Sequence, residues 1–215
     1  MFYTQFIYLS LSINNTPYYF NKNIHSLGNI GFGGFIHSQL APFATKYIDN
    51  IRYNGRDIRK EIMTKYKDKS ILDLCCGTGM STMPHSTGID TSKQMINVAN
   101  KYNKYNKYKH SKFYIGNAEN YKPTSDKSFD IVSCMFALHE MPKKAQIKVI
   151  QNAITIANEE VIIVDISPNY TPSNLMLAGE PYLPNYLKNI EFILQDFDYN
   201  NYISNHVGVW KAKLS

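Results

Sequence analysis

The stretch that decides the fold is Ile71-Leu72-Asp73-Leu74-Cys75-Cys76-Gly77-Thr78-Gly79. Apolar residues around one acid, followed by two glycines, indicate a buried strand that enters a tight loop. Glycine lets backbone N–H groups approach a ligand because no Cβ stands in the way. A loop built for pyrophosphate would rely on a helix N-terminus and backbone amides, whereas a carboxylate suits a ligand with a cationic part. We therefore expect a ligand with an amino acid moiety or a sulfonium.

Polar side chains also follow the next two predicted strands. Asp90 stands in Gly88-Ile89-Asp90-Thr91-Ser92, and Asn117 follows Phe113-Tyr114-Ile115-Gly116. An acid at the end of the second strand of a doubly wound sheet can accept hydrogen bonds from ribose hydroxyls. Taken alone, Asp90 could be a turn or capping residue and Asn117 an Asx turn. Their order after Asp73 favours ligand roles for both.

Strands and helices alternate through the middle of the chain. Residues 128–142 have the pattern of a fourth buried strand and its exit loop, and residues 161–166 form the apolar run typical of a parallel strand covered on both faces. At the end of that loop, Pro142 suits the first position of a helix. The apolar face of that helix is predicted to comprise Ile147, Ile150, Ile154 and Ala157. The pattern predicts an α/β fold with a doubly wound, mostly parallel sheet.

The first stretch resembles the first motif of the class I S-adenosylmethionine-dependent methyltransferases. That motif is usually an acid, an apolar residue and Gly-x-Gly-x-Gly, and Cys75 stands where the first glycine usually falls. The resemblance covers residues 70–166 and implies a Rossmann-like, seven-stranded sheet. It also implies an antiparallel terminal hairpin, for which residues 201–204 and 207–213 have the pattern of two short strands.

The resemblance further implies S-adenosyl-L-methionine as the cofactor. Asp90 would meet the ribose, Met95 would pack on the adenine face, and Asn117 stands in place of the usual acid at the adenine amino group. An amide oxygen can still accept from that amino group. The predicted cofactor-binding residues are Asp73, Cys75, Gly77, Gly79, Asp90, Thr91, Met95, Asn117 and Ala118.

His139 and Glu140 are the predicted catalytic residues. Methyl transfer demands alignment of acceptor, methyl and sulfur, and a nearby base helps an acceptor to lose its proton. His139 follows the fourth strand, at the carboxyl edge where ligands bind in such folds. Glu140 is a second base or the group that orients His139. An equally weighted interpretation makes His139 a loop residue that caps the next helix or lines the pocket. No metal site is predicted, because Cys75 and Cys76 lack Cys or His partners at zinc spacing.

The carboxyl third is expected to supply the acceptor pocket, with Tyr170, Glu180, Tyr182 and Tyr186 as residues that either face a substrate or pack. We expect methyl transfer to an O, N or C atom of a small-molecule or lipid-like acceptor. An RNA or protein methyltransferase and a catalytically inactive binding module are the alternatives. The inactive binding module stays open because Cys75 and Asn117 depart from the usual motif residues. It also stays open because the short segment 80–88 leaves room for about one helical turn or none.

A narrower likeness is to a group of little-characterised methyltransferases from algae and cyanobacteria. It is carried by Arg52-Tyr53-x-Gly55-Arg56-Asp57 and by Leu177-Ala178-Gly179-Glu180-Pro181-Tyr182. In that case Arg52 and Arg56 could bind an acidic group of the acceptor or the cofactor carboxylate. We prefer the interpretation that both arginines lie in solvent at the start of a helix.

The composition is that of a globular domain, with 215 residues, 44% hydrophobic and 19% charged. We predict a methyltransferase domain over residues 51–215 and a partly irregular, covering or substrate-side segment over residues 1–50. Three cysteines do not make a disulfide framework, which favours a reducing, cytoplasmic setting. The oligomeric state stays open.

Two segments and the net charge of +6 bear on partners. Residues 1–22 are aromatic but too short and polar for a membrane span, although peripheral membrane contact stays open. Residues 28–36 are glycine-rich and predicted to be a flexible connector. Residues 101–109 are basic and aromatic, yet Asn, Lys, Tyr and Ile are abundant throughout, so nucleic acid is disfavoured as a partner.

Overall fold

The computed structural model describes residues 17–21, 24, 27–104, 110–123 and 129–214. Within these ranges the strands are β1 (Ile71–Leu74), β2 (Thr87–Asp90), β3 (Lys112–Ile115), β4 (Phe129–Met135), β5 (Ala157–Ile166), β6 (Asp198–Ile203) and β7 (Val207–Lys213). The helices are α1 (Gly31–Arg52), α2 (Ile58–Met63), α3 (Lys93–Lys104), α4 (Lys143–Ile156), α5 (Asn174–Gly179) and α6 (Leu183–Ile193). Short 3₁₀ turns lie at Tyr18–Phe20, Thr64–Tyr66 and Leu138–Glu140. None of the helices in these ranges is long and apolar enough to cross a membrane.

One seven-stranded sheet organises the chain in the order β3-β2-β1-β4-β5-β7-β6. The strands β1 to β5 pair in parallel, and β7 runs antiparallel to both β5 and β6. The predicted α/β fold, with its antiparallel terminal hairpin, is confirmed. Because β1 to β5 are parallel, their carboxyl ends share one edge of the sheet, and the polar residues that follow them are brought together there.

Both faces of the sheet are covered, which explains the apolar run in β5. Val161 and Ile163 pack with the helices α4 and α6, whereas Ile162 and Val164 pack on the opposite side with α2. Successive side chains of a strand point to opposite faces, so a strand buried on both sides carries no polar alternation.

The predicted apolar face of the fourth helix is correct for Ile150, which is buried, and Ile147 is partly buried. Ile154 is exposed, and Ala157 belongs to β5. The buried face of α4 consists of Ala145, Gln146, Val149, Ile150, Ala153 and Ile156. The prediction left out the first turn of this face, where one of the buried residues is polar. Gln146 is fully buried, and its side-chain amide donates to the carbonyls of Leu138 at 3.0 Å and Met141 at 2.8 Å.

The predicted connector at residues 28–36 is instead the start of a long helix. α1 begins at Gly31 and continues through Arg52, so the division predicted between residues 50 and 51 falls inside it. The glycines serve close backbone packing here. A Cβ on Gly33 would lie 2.2 Å from the carbonyl oxygen of Leu27, and one on Gly34 would lie 2.4 Å from the carbonyl carbon of Asn29. The chain before the helix can fold back on its first turn only because these side chains are absent.

The link between β1 and β2 has no helix, as the short segment 80–88 led us to expect. Turns of residues 75–86 replace it, and they are fixed by hydrogen bonds to the strands. Cys76 N–H donates to Ile89 O at 2.9 Å, and Ser81 and Thr82 hydroxyls donate to Asp73. The loop is therefore anchored to the sheet without the usual covering helix.

Gly88 offers a test of this anchoring. A Cβ on Gly88 would lie 2.8 Å from Cys76 Sγ and 2.9 Å from Phe113 Cδ1. We expect Gly88→Ala to lower the free energy of unfolding by about 1–3 kcal/mol, because overpacking displaces the loop or the ring. Urea denaturation measures the change. Cys76→Ala in the same background removes the clash with Sγ, keeps the contact with the Cβ of residue 76 at 3.0 Å, and should restore part of the loss. A stability equal to that of the parent chain would contradict the packing described for this loop.

Candidate active site

Two cavities meet at the carboxyl edge of the parallel strands. The first has a volume of about 60 Å³ and the second about 580 Å³, and Glu140 borders both. Five of the predicted cofactor-binding residues line the first cavity: Cys75, Asp90, Thr91, Asn117 and Ala118. The predicted catalytic residue His139 lines the second. These five residues and His139 therefore lie on two sides of one short turn, which carries Glu140.

Asp90 links the first loop to the second strand. Its Oδ2 accepts from Gly77 N–H at 3.0 Å, and its Oδ1 accepts from Ser92 N–H at 2.8 Å. Burial raises the pKa of Asp90, while the backbone N–H groups of Ser92, Gly77 and Thr91 oppose that rise. Each carboxylate oxygen has two lone pairs, so both oxygens keep acceptor capacity beyond these bonds, and Asp90 lines the first cavity. This chemistry fits a ligand that carries hydroxyls.

The turn after β1 requires left-handed backbone at three positions. Cys75, Gly77 and Gly79 have φ angles of +57°, +53° and +81°. Glycine adopts this region without cost, whereas a residue with a Cβ is strained there. Cys75 therefore reproduces the turn of the glycine motif but brings a thiol to the cavity wall. A contact with Cys134 and burial raise the pKa of that thiol, which keeps it neutral.

Asp73 is buried beneath the loop and does not border either cavity. Its carboxylate accepts from Thr82 Oγ1 at 2.7 Å, Ser81 Oγ at 2.8 Å and Ser133 Oγ at 3.2 Å. Burial raises the pKa of Asp73 to about 6, although these hydroxyls act in the opposite direction. In this conformation the acid holds the loop in place.

The remaining predicted cofactor residues differ in position. Asn117 lines the first cavity, and its Oδ1 accepts from Glu119 N–H at 2.9 Å, the Asx turn weighed as its alternative. Met95 is buried under the start of α3, where its N–H donates to the capping hydroxyl of Ser92. Met95, Gly77 and Gly79 line neither of these two cavities.

The 3₁₀ turn Tyr18–Phe20 occupies space beside these residues. Tyr18 and Tyr19 both line the first cavity, and Tyr19 OH lies 3.5 Å from Asn117 Nδ2. The Tyr18 ring also packs edge-on against Tyr182, with centroids 6.2 Å apart. Pockets that hold small-molecule ligands and cofactors range from roughly 300 to 1,000 Å³. The first cavity, at about 60 Å³, is smaller than that range, and this turn, which sequence patterns could not indicate, takes up part of the space beside it.

The second cavity is of ligand size and mostly apolar. Its walls come from α1, α5 and the ends of β4 and β5. The apolar lining consists of Leu27, Leu40, Ala41, Ala44, Ile48, Phe136, Ile166 and Met176. Polar groups include Tyr170, Glu180 and His206, of which the first two were among the predicted pocket residues. Tyr186, for which substrate contact and packing were both left open, is fully buried and donates to Ile166 O at 2.7 Å.

The arginines flagged in the sequence have different surroundings. Arg56 pairs with Glu61 on the surface, so the solvated interpretation holds for it. Arg52 lines the second cavity. Arg59 also lines this cavity and is neutralised by Asp49 at 2.8 Å.

His139 is held by a buried carboxylate that sequence reasoning missed. Asp165 Oδ1 lies 2.5 Å from His139 Nδ1, and Asp165 Oδ2 accepts from the N–H groups of Leu138 at 2.8 Å and His139 at 3.2 Å. Asp165 has no exposed surface. Its position at the end of the apolar run of β5 was the available signal, because a fully buried acid needs partners.

The charge on His139 reflects opposing effects. Burial lowers the pKa of its imidazole, but the charges of Asp165, Glu140 and Glu180 outweigh burial and raise this pKa to about 9. Since Asp165 holds Nδ1, Nε2 is the nitrogen that faces Glu140, at 3.9 Å from Oε1. At pH 7 the protonated imidazolium is therefore the favoured form of His139.

Among the described residues, one group combines the side chains that can ligate a metal. His139, Glu140 and Glu180 place their ligand atoms within 4.8 Å of one another. The carboxylates of Glu140 and Glu180 also have an electrostatic role that needs no metal, because both stabilise the imidazolium of His139.

Comparison with known proteins agrees with this fold. The family model described as "Methyltransferase domain" matches residues 65–180. A demethylmenaquinone methyltransferase of Lactobacillus johnsonii is 29% identical over 157 residues, which cover 66% of this chain and 64% of that protein. The chain spans less than two thirds of the length of the curated relatives it matches.

Two solved structures illustrate the likeness in fold. The PH0226 protein from Pyrococcus horikoshii has a TM-score of 0.56 at 17% identity, with 82% of this chain and 98% of that chain covered. Magnesium protoporphyrin IX methyltransferase from Synechocystis, solved with bound SAM, has a TM-score of 0.53 at 16% identity, with 90% and 89% covered. Because the matched residues 65–180 make up more than half of its length, the chain belongs to the methyltransferase-domain family.

The Tyr18–Phe20 turn yields a kinetic prediction. Replacing both tyrosines, as Tyr18→Ala/Tyr19→Ala, should raise the association rate constant of S-adenosylhomocysteine about threefold or more, because a larger fraction of molecules would have an open cavity. Stopped-flow fluorescence measures this rate constant. Tyr114→Ala, at a half-exposed tyrosine on β3, is the control and should leave it unchanged. An unchanged or smaller rate constant in the double variant would show that the turn does not obstruct the cavity.

Proposed function

We propose that the chain transfers a methyl group from S-adenosylmethionine to an O, N or C atom of a small-molecule or lipid-like acceptor. The observation that carries the proposal is the shared border of the two cavities. Glu140 separates the cavity with the predicted cofactor residues from the cavity with His139. A methyl donor on one side and an acceptor on the other would meet at this turn, and such placement supplies much of the rate of a displacement.

The residues of the first cavity fit the cofactor. Asp90 offers carboxylate acceptors for ribose hydroxyls, and Asn117 and Ala118 would border the adenine. The Cys75 turn would lie next to the amino acid part. When bound there, S-adenosylmethionine supplies a methyl group activated by its sulfonium.

His139 would serve as the base that removes a proton from the acceptor. Asp165 holds Nδ1, so Nε2 is free of that bond and can accept a proton from a hydroxyl or amine in the second cavity. The imidazolium that forms is stabilised by Asp165, Glu140 and Glu180. Gln146 fixes the turn from the other side through its bonds to Leu138 O and Met141 O. Because Asp165 already orients the His139 ring, we assign Glu140 only the electrostatic stabilisation of the imidazolium.

The acceptor class follows from the lining of the second cavity. A volume of about 580 Å³ with mainly apolar walls suits an acceptor with a sizeable apolar body. Arg52 adds one cationic group that could meet an acidic substituent. The relative named demethylmenaquinone methyltransferase is in keeping with an acceptor of this kind.

We further propose a cytoplasmic location and a covering role for residues 1–50. All three cysteines are free thiols, in keeping with a reducing compartment. The described parts of residues 1–50 supply Tyr18 and Tyr19 to the first cavity and α1 to the wall of the second.

An inactive binding module is the second candidate. The small volume of the first cavity and the lack of a helix between β1 and β2 favour it. A screen of acceptors with labelled S-adenosylmethionine separates the two, and transfer to any acceptor excludes the inactive module. The basic stretch 101–109 reaches beyond the described residues, and inclusion of RNA among the acceptors tests the nucleic-acid alternative.

The base is tested by His139→Gln. At a pH above about 9, where the imidazole of His139 is neutral, we expect kcat to fall about 100-fold or more, because general-base catalysis contributes this order of rate. The melting-temperature rise produced by S-adenosylhomocysteine should persist, since His139 lies outside the first cavity. His85→Gln, at an exposed histidine, is the matched control and should retain full activity. Full activity of His139→Gln would remove the histidine from the mechanism and leave placement alone.

The role of Asp165 is tested by the pH profile. The base must be neutral to act, so kcat/KM should rise with pH and level off above about 9, the pKa of His139. In Asp165→Asn the imidazolium loses its main partner, so this pKa falls and the rising limb should move to lower pH. A merely structural role of Asp165 would lower activity without moving the limb. A limb at the same pH in both proteins would contradict the assignment.

A further inference from the structure

α1 exposes an aromatic face. Phe32, Phe35, Phe43 and Tyr47 have exposed fractions of 78%, 55%, 68% and 67%. Spacings of three, four and eleven residues bring side chains to the same side of a helix, so these four rings form one stripe. Apolar rings concentrated in this way on a surface mark an interaction site.

The charges on α1 are of one sign where the helix is exposed. Its exposed charged residues are Lys46 and Arg52, and Lys46 follows Phe43 by three residues on the aromatic side. The acid of this helix, Asp49, is buried and pairs with Arg59 at 2.8 Å. A face of aromatic residues and lysine without exposed acids is typical of helices that lie at the surface of an anionic bilayer.

The aromatic face continues into the mouth of the second cavity. Leu40 and Ile48 of α1 line this cavity and are also 51% and 42% exposed. On α5, Met176 lines the cavity and its neighbour Leu175 is 85% exposed. α5 carries no charged residue. Both helices of the cavity wall therefore present apolar side chains to the surroundings.

We propose that α1 and α5 dock on an anionic lipid surface and that the acceptor enters the second cavity from that surface. The docking stands on the exposed face itself, whereas the entry of an acceptor rests on the proposed methyl transfer. The aromatic rings would lie at the headgroup boundary, where apolar bodies are buried and Lys46 meets phosphates. An apolar acceptor would then reach the cavity without crossing water.

Vesicle co-sedimentation of the full chain tests the docking. The chain should sediment with vesicles of phosphatidylcholine and phosphatidylserine, and more weakly with phosphatidylcholine alone. Phe43→Ser should raise the half-saturating lipid concentration about tenfold, because one buried ring is lost from the contact. Phe192→Ser is the matched control, since Phe192 is also 68% exposed but belongs to α6 rather than to α1 or α5, and it should leave binding unchanged.

Further variants separate the possible occupants of this face. Lys46→Glu should weaken binding to the anionic vesicles severalfold and leave the weaker binding to phosphatidylcholine unaffected. Equal loss of binding in Phe43→Ser and Phe192→Ser, or no sedimentation of the parent chain, would overturn the proposal. So would a dimer in analytical ultracentrifugation that Phe43→Ser dissociates while neither protein binds vesicles, because the occupant would then be a second copy.

Failure of the docking and failure of the proposed function give different results. Vesicle binding needs neither cofactor nor turnover, so it persists if the chain transfers no methyl group. Conversely, a melting-temperature rise with S-adenosylhomocysteine and transfer to a water-soluble acceptor would persist if the vesicles do not bind.

Discussion

The arrangement of the site depends on one buried carboxylate. Asp165 sits at the end of β5 without exposed surface and receives His139 Nδ1 together with the N–H groups of Leu138, His139 and Ile166. A buried charge is tolerated only when it is paired and hydrogen-bonded. These bonds fix the Leu138–Glu140 turn, which separates the two cavities and carries both predicted catalytic residues. The position of this turn therefore determines where a methyl donor and an acceptor could meet.

A second carboxylate compensates for a missing helix. Residues 75–86 lack the helix that usually follows the first loop, yet Asp73 binds Ser81 and Thr82 from this segment and Ser133 from β4. The acid that the sequence offered as a ligand for a cationic group therefore stabilises the loop in this conformation. Asp90, which caps the same loop through Gly77 N–H, is the acid that borders the cavity.

The parallel strands and the residues at their carboxyl ends could be predicted because each depends on a local pattern. Asp90, Asn117 and His139 follow apolar runs directly, and a shared sheet edge then brings them together. Asp165 and Gln146 could not be assigned, because their partners lie 5 to 27 residues away and depend on tertiary packing. α1 was missed since its glycines, which usually signal a loop, serve here for close backbone contact.

The central claim is that a bound cofactor in the first cavity lies against the turn that holds His139. Nitrogen NMR of the His139 imidazole, assigned by its loss in His139→Gln, tests this claim during a titration with S-adenosylhomocysteine. We predict that the ring resonances change and saturate at one equivalent of ligand, as the donor site fills beside the turn. Resonances that stay constant throughout the titration would contradict the account.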